Sequence, residues 1–346
     1  MKLVGIARII QFMFSRRSLI AFLLLPVVFV TGGCGGADTD ESGVIELQIG
    51  SVSLLDSLLG ISATEFARRV NERLDGRVHV TFFPSSQLGN DEVMLQKLKL
   101  GTLDFSMPST VMSSIVDEFG LFEMPYLVTD REHMSRIKEE LIWPVLAPAA
   151  EDQGYHVVAV WENGFRHVTN NVRPINTPED LSGIKLRTPR GQWRVRLFQS
   201  FNANPTPMPL SEVFVALQTG VIDGQENPLP QITSNSFEEV QDYLSLTGHV
   251  YTPSYVITGS NHWNGLPEDV RDIVQEIARG METFIYGEAE RLEAELMTEL
   301  EASGIQINTA DRDSFVEASR PIYDEFGSAV EGGAEMIATA LRLATP

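Results

Sequence analysis

The chain has 346 residues, with 26 Lys and Arg against 47 Asp and Glu and a formal net charge of −21. So acidic a chain excludes nucleic acid as a partner, because phosphate binding needs clustered cations. Its single cysteine excludes a disulfide framework and a cysteine-based metal site.

Residues 1–33 read as a secretory signal. Lys2, Arg8, Arg16 and Arg17 precede an apolar run from Leu19 to Val30, and the small residues Thr31, Gly32 and Gly33 follow. The run is shorter than the roughly 20 apolar residues of a membrane span. Cys34 comes next and opens a polar tether over 34–43. Its position resembles the lipid-modified cysteine of bacterial lipoproteins, although Thr31 stands where those proteins prefer leucine. Ordinary cleavage near Gly33 with an incidental thiol, or retention of the segment as an anchor, are the alternatives. Without residues 1–33 the balance becomes 22 cations against 47 acids, or −25. The remaining 313 residues exceed one usual core and point to two lobes or one large α/β unit.

Ile45–Gly50 alternates with period two and reads as a strand. Leu59, Phe66, Val70 and Leu74 recur at helical spacing until Gly76, and Val78, Val80 and Phe82 share one face of a second strand. Met94, Leu95 and Leu98 mark a helix from Asn90 to Gly101, followed by a strand over Leu103–Met107. Tyr155–Trp161 is nearly all apolar, as in a strand covered on both faces, and Gly183–Thr188 is a strand stopped by Pro189. Strands alternating with helices imply α/β layers.

An internal echo supports two lobes. The helix from Asn90 ends in Gly101-Thr-Leu-Asp104, and that from Ser211 ends in Gly220-Val-Ile-Asp223. From Leu266, proline and acids open a helix whose apolar residues recur to Leu300, weakened only at Gly280 and Gly287. Uninterrupted, it would extend about 50 Å.

Arg166 follows the buried strand at Trp161, and Arg187 closes the strand before Pro189. Strand ends are where open α/β sheets place ligands, and a guanidinium fork suits a carboxylate. Either arginine could equally serve an ion pair, as could Arg190, Arg194 and Arg196. In the corner Asp223-Gly-Gln-Glu-Asn-Pro228, Asn227 offers an amide to a ligand, while Asp223 and Glu226 read as a turn and a solvated charge. Tyr251 and Tyr255 could present hydroxyls to a ligand or pack half-buried. The six histidines form no ligand-spaced couple, and no nucleophile elbow, phosphate loop or dinucleotide fingerprint occurs. His167 is the best candidate base, and Glu162 its partner in a hydrolase or lyase reading.

Several motifs in one order resemble the extracytoplasmic solute-binding proteins of TRAP transporters, the DctP type. They are Phe83-Pro-Ser-Ser-Gln-Leu-Gly-Asn90, Asn163-Gly-Phe-Arg-His-Val-Thr-Asn170, Gly183-Ile-Lys-Leu-Arg187, Asn204-Pro-Thr-Pro-Met-Pro-Leu-Ser-Glu-Val213 and Asp223-Gly-Gln-Glu-Asn-Pro228. The likeness runs from about Ile45 to Ser303. It implies an α/β, type II-like periplasmic fold of two lobes, spanned by a long helix. The lobes would comprise 44–162 with 252–290, and 163–251 with 291–346. It further implies an organic acid held at its carboxylate by Arg187, with Arg166 as a second cation and Asn227 and Tyr251 as further contacts. Selectivity would come from the loops Ser51–Asp56 and Ser106–Thr110, including Ser109. The second loop lacks the acidic residue of sialic-acid binders, so dicarboxylates, oxo or hydroxy acids and sugar acids stay open. A small and a large membrane subunit are the implied partners, with no cofactor, metal or catalysis. The location implied is periplasmic, with Cys34 as the only membrane attachment. A sensory binding subunit would use the same cleft.

Overall fold

The computed structural model describes residues 43–344, so the expected signal segment and Cys34 lie outside the described residues. β1 (Ile45–Gly50) buries Leu47 and Ile49 on one face, as its alternation predicts. α1 (Leu58–Arg73) starts at Ser57, whose hydroxyl accepts the Gly60 amide at 3.1 Å and satisfies one of the helix's open donors. Phe66 and Val70 of α1, one turn apart, are fully buried. β2 (Val78–Phe83) lies parallel to β1. α2 (Asp91–Leu100) is capped by Asn90 and ends at Gly101, whose φ of 69° glycine adopts without strain.

The strand expected over Leu103–Met107 shrinks to β3 (Phe105–Ser106), parallel to β1. Asp104 is the reason: its carboxylate accepts the Gln48 amide at 2.6 Å and so takes the place of a ladder bond. Two 3-10 segments, Thr110–Ser114 and Asp117–Glu123, then lead to α3 (Arg131–Ile137). A π-helical stretch containing Pro144 joins α3 to α4 (Ala147–Asp152), and β4 (Tyr155–Phe165) follows, buried along most of its length.

At Arg166 the chain crosses into a second sheet as β5 (His167–Asn170). That sheet is completed by β6 (Lys185–Thr188), β7 (Asn204–Pro207), β8 (Gly224–Asn227) and β9 (Tyr243–Leu246). Between these strands lie α5 (Gln192–Ser200), α6 (Val213–Gln218) and α7 (Leu229–Ser234). β10 (Tyr251–Gly259) returns to the first sheet, antiparallel to β4. After α8 (Ser260–Gly265), α9 (Glu268–Arg279) and α10 (Glu282–Ser303) come β11 (Gln306–Thr309), α11 (Arg312–Ala329) and α12 (Gly333–Leu343). The strand orders are β2-β1-β3-β10-β4 and β11-β9-β5-β8-β6-β7. Each sheet is covered on both faces by apolar clusters, which makes two α/β lobes joined by crossing strands.

The helix expected from Leu266 is two helices, because α9 stops at Gly280, where the backbone leaves its course before α10 begins. α10 alone, about 33 Å at 1.5 Å per residue, still reaches both lobes. Its Ile285 and Leu292 join the core of the first, and Met297 and Leu300 that of the second. α12, grouped by sequence with the second lobe, instead buries Met336, Ile337 and Ala340 in a first-lobe cluster.

The internal echo has a structural counterpart. Gly220 has φ 70°, matching Gly101, and Asp223 accepts the Lys185 amide at 2.8 Å as Asp104 accepts that of Gln48. In each lobe the aspartate stands just before a strand laid parallel to the one it caps. β8 also needs glycine at its start: a Cβ on Gly224 would lie 2.3 Å from the Thr169 carbonyl oxygen. Gly224→Ala should therefore push β8 from β5 and cost roughly 1–3 kcal/mol. Equilibrium urea unfolding checks this, and an unchanged midpoint contradicts it.

Candidate functional site

A cavity of about 60 Å³ lies between the lobes. Val52 and Ser53 after β1, and Met107, Ser109 and Thr110 after β3, form one wall. Arg187 and Pro189 at the end of β6, and Asn227 at the end of β8, form the other. Both lobes thus offer the C-terminal ends of parallel strands, the usual ligand edge of α/β sheets. Asn163 and Arg166 sit at the crossing between them. Gln231 of α7 reaches across, its amide donating to the Ser53 hydroxyl at 2.7 Å.

Arg187 is 3 % exposed, and its Nε and Nη2 both donate to the Met208 carbonyl, at 3.0 and 2.7 Å. Among the described residues it has no carboxylate in ion-pair contact. Burial pushes its pKa down to about 10, against the pull of Glu226, so the group stays charged at neutral pH. A buried cation with only a carbonyl for company leaves electrostatic demand open toward the cavity.

Arg166 is differently employed. Its Nε donates to Glu226 Oε2 at 2.5 Å, and its Nη2 to the Glu226 carbonyl and to Asn227 Oδ1 at 2.5 and 2.9 Å. Glu226, read from sequence as a solvated charge, is fully buried and also accepts from Arg194 Nη1 at 2.6 Å. His249 Nε2 lies 3.1 Å from the same oxygen. Burial keeps that imidazole neutral, so Nε2 carries the proton and donates while Nδ1 accepts from Thr247. Arg194 is itself 0 % exposed and pairs with Glu123 at 2.8 Å. Asn227 has spent its oxygen on Arg166 and one amide hydrogen on Gln225, at 2.6 Å, which leaves one N–H available.

Ser109 lines the cavity, its hydroxyl donating to the Pro253 carbonyl at 2.7 Å. Tyr251 does not reach it. Its hydroxyl donates to Glu162 at 3.4 Å and its ring meets Phe165 edge-on, on the far side of the crossing. Tyr255 packs against Phe119. A cavity that sequence reading missed, about 420 Å³, contains Glu162 and His167 and shares only Asn163 with the first. Its acids are already held, Glu162 by Arg131 at 2.8 and 2.7 Å and Glu293 by Arg131 at 2.8 Å. Desolvation pushes His167 down to about 3, and its Nδ1 accepts the Gly248 amide. The smaller cavity therefore carries the unmet chemistry despite its size.

Asp91 also lines that cavity, and no sequence signal marked it beyond its place in the first turn of α2. Burial pushes its carboxyl up to about 7, Glu92 adding to the rise and Arg187 opposing it. Burial alone would raise Glu226 too, but Arg166, Arg194 and His249 hold it well below the usual carboxylate range. Glu226→Gln should leave Arg166 and Arg194 short of a counter-charge and cost about 3–5 kcal/mol, read by denaturant unfolding. The stability that ionised Glu226 carries is present above its ordinary 4.5 and is lost as pH falls toward the depressed folded value. The variant should accordingly lose that acid-side slope, and an unchanged profile would contradict the assignment.

Comparison with known proteins gives the family and the fold. The chain is 34 % identical to the sialic acid-binding periplasmic protein SiaP of Vibrio cholerae, covering 82 % of this chain and 88 % of that one. Its fold matches a TRAP periplasmic solute-binding protein of a Polaromonas species bound to D-erythronate, with TM-score 0.81, 36 % identity and coverage of 86 % and 98 %. A TRAP periplasmic solute-binding protein of Sulfurospirillum deleyianum with bound succinate matches at TM-score 0.81 and 30 % identity, over 86 % and 98 %. The profile of the DctP family, bacterial extracellular solute-binding protein family 7, matches residues 49–329. The match runs through both lobes, and the chain belongs to the DctP family of TRAP solute-binding proteins.

Proposed function

We propose that the chain captures an organic acid by its carboxylate at Arg187 and presents it to a small and a large membrane subunit for ion-gradient-driven uptake. The observation that carries this reading is the buried charge of Arg187, which has a carbonyl but no carboxylate beside it. A ligand carboxylate would supply the missing counter-charge through the free Nη1, in a site dry enough to strengthen the bond. The remaining N–H of Asn227 and the Thr110 hydroxyl would orient it. The relatives whose structures hold D-erythronate and succinate support an acid as the solute.

Arg166 then acts as a positioning residue: locked on Glu226, it adds positive potential without being displaced. Closure would be held by contacts across the cleft such as Gln231 to Ser53 and the Arg190–Glu92 pair at 2.9 Å. The site captures and does not convert, a reading supported by the engagement of Glu162 with Arg131 and by the low pKa of His167. Delivery would occur outside the cytoplasm, as in the family, with Cys34 as the proposed lipid anchor.

Arg187→Ala should weaken binding of the acid by about 2–5 kcal/mol, or about 30-fold to several thousand-fold. Titration calorimetry on wild type and variant checks this, and equal affinity would take Arg187 out of the site.

A further inference from the structure

We infer that the captured solute is a small hydroxylated monocarboxylate, with its carboxylate on Arg187 and its hydroxyls donating to Asp91 and Asn163, and that a dicarboxylate is rejected. The inference rests on the organic-acid reading and narrows it.

The charges lining the cavity set the first limit. Among the described residues its only cations are Arg187 and Arg166, and Arg166 is committed to Glu226 and Asn227. Its only acid is Asp91, which has neither a hydrogen bond nor an ion pair among the described residues. One ligand carboxylate satisfies Arg187. A second would find no free cation and would face a carboxylate of its own sign, whereas a hydroxyl can donate a charge-assisted hydrogen bond to Asp91.

The hydrogen-bond accounting at Asn163 gives the second limit, independently of charge. Its Nδ2 lies 3.4 Å from Ser109 Oγ and 3.3 Å from Thr252 Oγ1. Each of those hydroxyls already donates its one proton elsewhere, Ser109 to the Pro253 carbonyl and Thr252 to the Gly164 carbonyl. Both can therefore only accept from Asn163, which fixes the amide with its nitrogen toward them. Oδ1 is left buried with no donor, in a residue 6 % exposed that lines this cavity and the larger one beside it. An amide oxygen accepts only, so its partner must bring a proton. A ligand hydroxyl brings one and an ionised carboxylate does not. The Thr110 hydroxyl, also buried without a partner in the same wall, can serve as either partner to such a ligand.

The test is calorimetry at pH 8, above the value of about 7 to which burial pushes Asp91, with D-erythronate, D-gluconate, butyrate and succinate as probes. At least one hydroxy acid should bind tenfold or more tightly than both butyrate and succinate. Asp91→Asn should lower that preference over succinate by tenfold or more, and the retained titration of the variant shows its site is folded. Succinate or butyrate binding as tightly as both hydroxy acids, or an unchanged preference in Asp91→Asn, overturns the inference while leaving the organic-acid reading intact. No heat from any of the four acids, with a folded wild type, sinks that reading and this inference with it.

Discussion

The fully buried carboxylate of Glu226 is the constraint around which this molecule is arranged. A carboxylate out of water must have its lone pairs filled, and here the donors come from three places: Arg166 at the crossing between the sheets, Arg194 on α5 and His249 just before β10. Buried ion pairs contribute little net stability, since desolvation offsets their attraction. What such a pair does contribute is position. β8, α5 and both crossing strands must meet at one point, and that point lies directly behind the cleft.

The same network decides which arginine is free. Glu226 takes Arg166 and Arg194 as its partners, and Glu123, whose carboxyl burial pushes up to about 7, lies 2.8 Å from Arg194, so neither acid is paired with Arg187. Arg187, on β6, has no ion pair among the described residues and feels Glu226 and Asp91 only at longer range. The chain is acidic overall, so its long-range field repels an anion. Attraction has to be local, from one cation in a low-dielectric cleft. Had Glu226 lain nearer Arg187, the protein would have supplied its own counter-ion and the cleft would have had no use for a ligand's.

Much of this was legible in the sequence. The period-two and helical patterns located β1, α1, β2, α2 and β6, and the motif likeness located Arg187, Asn227 and Ser109 in one cavity. Other parts were not legible, for definable reasons. The 3-10 and π segments between Thr110 and Leu146 have no single period to read. Glu226 looked like a loop charge because a carboxylate's burial depends on donors that arrive from far along the chain. Arg194 did leave a signal: it shares the buried face of α5 with Trp193, Leu197 and Phe198, and a cation on an apolar face needs a buried partner. Tyr251, an implied contact, lies outside the lining of the cavity that holds Arg187, and a motif likeness does not reveal which neighbours a side chain takes. Its ring went to Phe165 and its hydroxyl to Glu162.

The repeated aspartate device explains why the two walls of the cleft match in depth. Asp104 and Asp223 each hold a neighbouring strand by its backbone amide, two residues before the first strand reaches its end at Gly50 and three before β6 ends at Thr188. Each also follows a glycine in the left-handed conformation that turns the chain out of a helix. Strand ends fixed in this way bring Ser53 and Thr110 from one lobe to face Arg187 and Asn227 from the other. The walls themselves are then set by short loops, which can change residue by residue without disturbing either sheet. Asp91 belongs to this variable layer, sitting on the first turn of α2 rather than in a strand. The fold therefore fixes the strand ends that carry Arg187 and Asn227, while the loops of the opposite wall can differ around them.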